Sequence, residues 1–170
     1  MPEDDPQVGG PRAALPMDSD ATAEDVVQLA HRWAAFLRSR ADVLAVISAG
    51  GALGSLARWG VGELVPWSGR TFPWATFAEN VSGGFVLGVL MVFLLDVWPP
   101  HRYLRPFLGV GVLGGYTTFS TYLLESRDLL AEGQVAIAFA YLGGSLLAGL
   151  IAVWLGIALT RRAIAGQDAQ

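Results

Sequence analysis

The 170-residue chain contains no cysteine, no lysine and only two histidines. Without cysteine there are no disulfides, no thiolate metal sites and no cysteine nucleophile. Without lysine no phosphate-binding loop can place its cation on a nucleotide. His31 and His101 have no partners at metal-ligand spacing, which argues against a metal enzyme and, with the other absences, against an enzyme at all. Charged residues make up only 15% of the chain. The N-terminal segment has no basic region leading into an apolar stretch and a small-residue cleavage site, so it is not expected to be a signal peptide, and the first span is expected to act as its own insertion signal.

What is abundant is apolar surface. Hydrophobic residues reach 53% and mean hydropathy is +0.45, values of a membrane protein. Four stretches, 43–65, 77–97, 104–124 and 135–159, meet the requirement of about 20 mostly apolar residues for crossing a bilayer. The expected organisation is a disordered acidic tail over 1–19, an amphipathic interfacial helix over 20–41, a four-helix membrane domain over 42–160 and a C-terminal tail over 161–170. In the second of these, Val26, Ala30, Trp33 and Leu37 recur at helical spacing, with most charges elsewhere around the turn.

Small residues recur along three spans: Gly50, Gly54, Arg58 and Gly62 in the first, Asn80, Gly84 and Gly88 in the second, and Tyr141, Ser145, Gly149, Ala152 and Gly156 in the fourth. Such stripes let helices approach closely, and a polar side chain among them can simply bond across the contact. Taken together with the third span they form a narrow polar track. That third span carries three glycines and six hydroxyl side chains between Gly111 and Tyr122, inside an uncharged run. Hydrocarbon penalises unsatisfied polar groups, so this pattern predicts backbone that leaves the helix where protein or water can satisfy it, a usual mark of an ion or substrate site.

The chemistry of that track suits a small anion. Asn80, Thr117, Thr118, Ser120, Thr121 and Ser145 supply amide and hydroxyl donors that can replace a hydration shell. Phe119, Tyr122 and Tyr141 add electropositive ring edges, which face an anion without trapping it. Carbonyl oxygens exposed at the glycine-flanked break suit a hard cation such as sodium.

Gly-Gly-Tyr-Thr-Thr-Phe-Ser-Thr-Tyr at 114–122 resembles the Gly-Gly-x-Thr-Thr-Phe-Ser-Thr-Phe signature of the Fluc (CrcB) fluoride channels. The run 50–58, ending in Arg58, and the Thr76-x-x-x-Asn80 pattern followed by Gly84, Phe85 and Gly88 are similar to that family's first- and second-span patterns. The resemblance covers roughly residues 43–159 and leaves the N-terminal arm unexplained. It implies an all-α membrane protein of four transmembrane helices with a broken third helix, assembled as an antiparallel dimer with two fluoride pores and a sodium ion at the interface. Carried over residue by residue, the Gly114 and Thr117 carbonyls hold the sodium. Phe119 and Tyr122 supply aromatic faces. Asn80, Ser120, Thr121, Tyr141 and Ser145 line the pore with Thr76 near the ion path, and Arg58 and Glu125 lie near its mouth. The implied function is passive efflux of cytoplasmic fluoride through the bacterial inner membrane, relieving fluoride toxicity.

Two residues depart from this pattern. Tyr122 stands where the family usually has phenylalanine, its hydroxyl donating to fluoride or reaching a vestibule. Glu79, beside Asn80, either turns away toward Arg58 or another arginine or is uncharged there; the first is favoured because adjacent helical residues point about 100° apart. Glu79 also defines the competing reading, a small proton-coupled multidrug exporter, which needs a membrane-embedded carboxylate. A purely structural membrane protein explains the small-residue stripes but not the hydroxyl-rich segment.

All eleven basic residues are arginines, and setting aside distal Arg12 they divide seven to three between the two sides of the bundle. The positive-inside rule then places both termini in the cytoplasm. An inverted homodimer needs a nearly balanced count, so the partner in the lipid is either a second copy or an oppositely oriented paralogous subunit.

Overall fold

A computed structural model describes residues 22–167; the expected acidic tail over 1–19 lies outside them. Two units separate at the junction of Ala41 and Asp42. The first contains helix α1 (Ala23–Ser39), opened by a reciprocal cap in which Thr22 Oγ1 accepts from the Asp25 N–H and the Asp25 carboxylate accepts from the Thr22 N–H at 2.9 Å. The Thr22 bonds hold the Asp25 carboxyl below its ordinary pKa.

The regular elements of the second unit are all helical among the described residues. They comprise α2 (Ala41–Leu64), α3 (Trp74–Val92) extended by a π-helical turn over Phe93–Val97, a π-helical segment Arg105–Leu113 running into the short α4 (Gly114–Tyr116), then α5 (Ser120–Ala131) and α6 (Val135–Gln167). Four stretches are long and apolar enough to cross a membrane: Ala41–Leu64, Trp74–Val97, Arg105–Ala131 and Val135–Gly166. Each overlaps one of the four apolar runs of the sequence. The segment expected as a C-terminal tail is helical as far as Gln167, because Arg161, Arg162, Ala163, Ile164 and Ala165 are all compatible with a helix and no proline intervenes.

The glycine stripes are where backbones touch. A Cβ added to Gly54 would meet the Val112 carbonyl oxygen, and one on Gly115 the Gly51 carbonyl, so α2 lies directly on the 105–116 segment. Likewise a Cβ on Gly88 would meet the Val153 carbonyl, and one on Gly156 the Phe85 carbonyl, which locks α3 to α6. Tyr141, Leu129 and Ala138 form a fully buried nucleus between α5 and α6, and Phe72, Phe77 and Tyr122 pack around it. At the helix ends, exposed pairs join Arg102 to Asp42 at 2.8 Å and Arg161 to Asp96 at 3.2 Å. Such pairs contribute about 0–1 kcal/mol each.

Candidate functional site: an interrupted segment between α3 and α6

Helical backbone ends at Tyr116 and resumes at Ser120, and Thr117 is extended at φ −83°, ψ 155°. The sequence predicted a glycine-flanked departure from the helix between Gly111 and Tyr122, with Gly114 and Gly115 as its glycine pair. Both glycines are helical, and Gly115 is used for the close approach of α2. The departure comes at Thr117, because side chains there take over the bonds of the helical ladder.

The side chain that takes over first is Asn80, on α3. Its Nδ2 donates to the Thr118 carbonyl at 2.9 Å and its Oδ1 accepts from the Thr118 N–H at 2.9 Å. The second is Thr118 itself, whose Oγ1 accepts from the Thr121 N–H at 3.2 Å and donates to Thr121 Oγ1 at 3.0 Å, capping α5. In an unbroken helix the Thr118 N–H would serve the Gly114 carbonyl and the Thr121 N–H the Thr117 carbonyl. Both donors are diverted, so these two carbonyls keep lone pairs that the helix does not use. Thr117 Oγ1 instead donates back to the Leu113 carbonyl at 2.9 Å. Exposed carbonyl oxygens are the donor set a hard cation prefers, so Gly114 and Thr117 fit the sodium assignment chemically.

A second cluster lies around Glu125. Thr76 Oγ1 donates to Glu125 Oε1 at 2.8 Å and the Tyr141 hydroxyl donates to Oε2 at 2.7 Å, all three groups buried. The sequence placed Glu125 at a pore mouth and Tyr141 along the pore wall. The two are joined directly, with Tyr141 fully buried. An open cleft of about 370 Å³ leads to them, lined among others by Arg58, Glu63, Thr76, Glu79, Thr121 and Glu125. Glu79 is 3% exposed and shares this cleft with Arg58, while the amide of adjacent Asn80 reaches Thr118. It thus turns away from the asparagine but not from Thr76 and Glu125.

The aromatic residues form a chain of edges and faces. Phe119 and Tyr122 have ring centroids 5.8 Å apart, Tyr122 and Tyr141 5.1 Å, and Phe72 and Tyr141 5.2 Å. Phe119 is 71% exposed, the Tyr122 ring partly buried. The Tyr122 hydroxyl takes neither of the two roles open to it in the sequence: it donates to the Leu142 carbonyl of α6 at 2.7 Å. The carbonyl of a helical residue has a second lone pair, and Leu142 lies within reach.

Ser120 Oγ lies 3.4 Å from Thr118 Oγ1. Ser145 is buried on α6, and its Oγ has no hydrogen-bond partner among the described residues. Sequence reasoning gave Thr118 no more weight than its neighbours and passed over Ser82, whose Oγ lies 3.0 Å from the Tyr116 hydroxyl. Ser82 and Asn80 both reach the interrupted stretch, through Tyr116 and Thr118, and no local pattern in the sequence singles Ser82 out.

Four helical stretches long and apolar enough to cross a membrane, the third interrupted at a polar segment, are those of a small multi-pass membrane protein. More specifically, the chain belongs to the CrcB family: residues 45–157 match the family described as CrcB-like protein, Camphor Resistance (CrcB). Among its relatives, the fluoride-specific ion channel FluC 3 of Streptomyces avermitilis is 49% identical over 128 residues, 75% of this chain and 63% of that protein. FluC 1 of Streptomyces coelicolor is 46% identical over 127 residues, covering 75% of this chain and 82% of its own length. The fluoride-specific ion channel FluC of Rhodospirillum centenum is 44% identical over 125 residues, 72% of this chain and 98% of that protein. These relatives are named as ion channels and not as enzymes.

Proposed function

We infer that this chain is a fluoride-selective channel through which cytoplasmic fluoride leaves the cell passively, so relieving fluoride toxicity. Its family and the names of its relatives support this, and the observation that carries it is the interruption at 117–119 held open by Asn80. The interruption is read as a break within the third membrane crossing, where it offers an anion hydroxyl and amide donors without a cationic side chain. On this reading Asn80, Phe119, Ser120, Thr121, Tyr122, Tyr141 and Ser145 line the path with Thr76, and Arg58 and Glu125 flank the cleft that opens onto it. The unpartnered Ser145 Oγ supports its place on the path, since a hydroxyl buried without a bond is a donor in reserve.

The Gly114 and Thr117 carbonyls would hold a structural sodium ion, which when bound supplies a fixed positive charge beside the track. The diverted Thr118 and Thr121 N–H groups support that assignment. The 71% exposure of Phe119, beside the buried Thr118, supports a partner that covers it. That partner is a second, inverted copy or an oppositely oriented paralogue in the same inner membrane. The arginine bias places both termini in the cytoplasm.

The multidrug-exporter reading is not favoured, and Glu79→Gln separates the two. It would abolish an exporter and should leave fluoride efflux largely intact. The direct test is efflux from liposomes carrying the purified chain, with fluoride and chloride run in parallel. Fluoride flux well above empty vesicles and above chloride is expected; no flux, or equal chloride flux, would overturn the assignment. Robust efflux from the single purified polypeptide would exclude an obligatory paralogue.

A further inference from the structure

We propose that α1 is a membrane-surface anchor that lies in the plane of the bilayer, its apolar face in the acyl boundary and its arginines on anionic headgroups. The family match begins at residue 45, so α1 stands outside everything that the channel reading explains.

At about 100° per residue, Val26, Leu29, Ala30, Trp33 and Leu37 fall within one third of the circumference, with Phe36 at its margin. Gln28, His31, Arg32, Ala35 and Ser39 occupy the opposite side. Val26, Leu29, Trp33, Phe36 and Leu37 are all large and all between 47% and 59% exposed. Five such residues on one face of a 17-residue helix form a contiguous apolar patch of the kind that marks an interaction surface.

Two features name lipid as the occupant. Chain connectivity is the first: a single residue, Arg40, separates α1 from α2, the first membrane-crossing helix, so the C-terminal end of α1 begins at the bilayer surface. A helix about 25 Å long that starts there meets the lipid interface along its length if it lies flat. Charge is the second. The acidic residues Glu24 and Asp25 occupy the first turn, far from the span, whereas Arg32, Arg38 and Arg40 sit in the half next to it, at headgroup level. Arg40 packs its guanidinium over the Phe36 ring at 5.0 Å, joining the positive end to the apolar face. Trp33 and Phe36 meet edge to face with centroids 6.0 Å apart, and the Trp33 indole is the amphipathic ring type favoured at the interface.

The absence of cysteine makes the test clean. Single cysteines placed at Val26, Leu29 or Trp33, and at Gln28, His31 or Ala35, are labelled with an environment-sensitive fluorophore in the full-length chain and reconstituted in vesicles with and without phosphatidylglycerol. Lipid-borne quenchers should reach the first set and water-borne quenchers the second, with a helical period. In phosphatidylglycerol vesicles the triple variant R32Q/R38Q/R40Q should lose at least half of the lipid quenching. Equal access of water-borne quencher to both sets would overturn the proposal. Shielding of the first set from both quenchers would also overturn it, in favour of protein contact with the bundle or a second copy. Lipid quenching indifferent to phosphatidylglycerol and to the triple variant would refute the role of the arginines.

Discussion

Replacing Asn80 by alanine removes two hydrogen bonds from one residue, the donation to the Thr118 carbonyl and the acceptance from the Thr118 N–H, each 2.9 Å long. Thr118 is buried, so neither backbone group regains a partner from bulk water at no cost. A buried polar group left without its bond costs about 1–3 kcal/mol, so the pair together costs about 2–6 kcal/mol. At about 1.4 kcal/mol per tenfold, even the lower bound reduces the population of the extended Thr117 conformation about 30-fold relative to its alternatives. The Thr118 N–H then returns to the Gly114 carbonyl and the interruption closes toward helix. Fluoride efflux from liposomes, measured with a fluoride electrode, should fall at least tenfold for Asn80→Ala, while the detergent-solubilised protein elutes at its original size. Amide exchange at Thr118 provides the independent reading. Undiminished flux with unchanged Thr118 protection would refute the idea that this asparagine holds the segment open. Loss of flux together with loss of the folded species would assign Asn80 to folding instead.

Tyr122→Phe removes only the hydroxyl bonded to Leu142, whose carbonyl retains its place in the α6 ladder, so it should cost about 0.5–1.5 kcal/mol, shift thermal unfolding by a few degrees and preserve flux. A loss of flux as deep as that of Asn80→Ala would show that the hydroxyl does more than steady the ring. Gly54→Ala drives a Cβ into the backbone of Val112 and Tyr116 and should cost about 1–3 kcal/mol or prevent folding, whereas Gly60→Ala, with open space around it, should be tolerated within this chain; equal yields of the two folded variants would contradict the packing of α2. The cap of α1 has a pH signature. Because the Asp25 pKa is depressed by its bonds to Thr22, the cap contributes fully above the ordinary carboxylate pKa and is lost as pH falls through the lower folded value. First-turn amides of α1 should therefore lose protection as pH falls below the ordinary carboxylate value; protection that stays constant through that fall, or that Thr22→Ala leaves unchanged at neutral pH, would discount the cap.

The sequence marked the spans well because hydrocarbon demands long apolar runs, and runs are visible without an alignment. Three span starts fall within three residues of the apolar run that marked them, and the fourth at the same residue, Val135. The Thr117 departure was less legible. Glycine attracts attention as a breaker, yet Gly114 and Gly115 stay helical, and what decides the backbone is an amide 38 residues away in sequence. No local pattern encodes that partner. The same holds for Glu125: the family resemblance implied a pore mouth, but its two carboxylate oxygens accept from hydroxyls of α3 and α6, partners that no local pattern encodes. The Tyr122 hydroxyl illustrates the reverse case, where a family departure looked functional and its bond is to the scaffold.

One consequence ties the proposed anion and cation roles of this segment together. The Gly114 carbonyl lacks its helical donor because Asn80 takes the Thr118 N–H, and the Thr117 carbonyl lacks its own because Thr118 Oγ1 takes the Thr121 N–H. Thr118 is thus the common element: its backbone answers to Asn80, and its hydroxyl caps α5 beside the side chains assigned to fluoride. A cation held at Gly114 and Thr117 and a hydroxyl track at 118–121 are two outcomes of the same diverted bonds. Thr118→Val keeps the shape and the Asn80 clamp but removes the cap. It should return the Thr121 N–H to the Thr117 carbonyl, weakening cation retention and fluoride flux together. Cation retention that survives while flux is lost would separate the two roles and break this link.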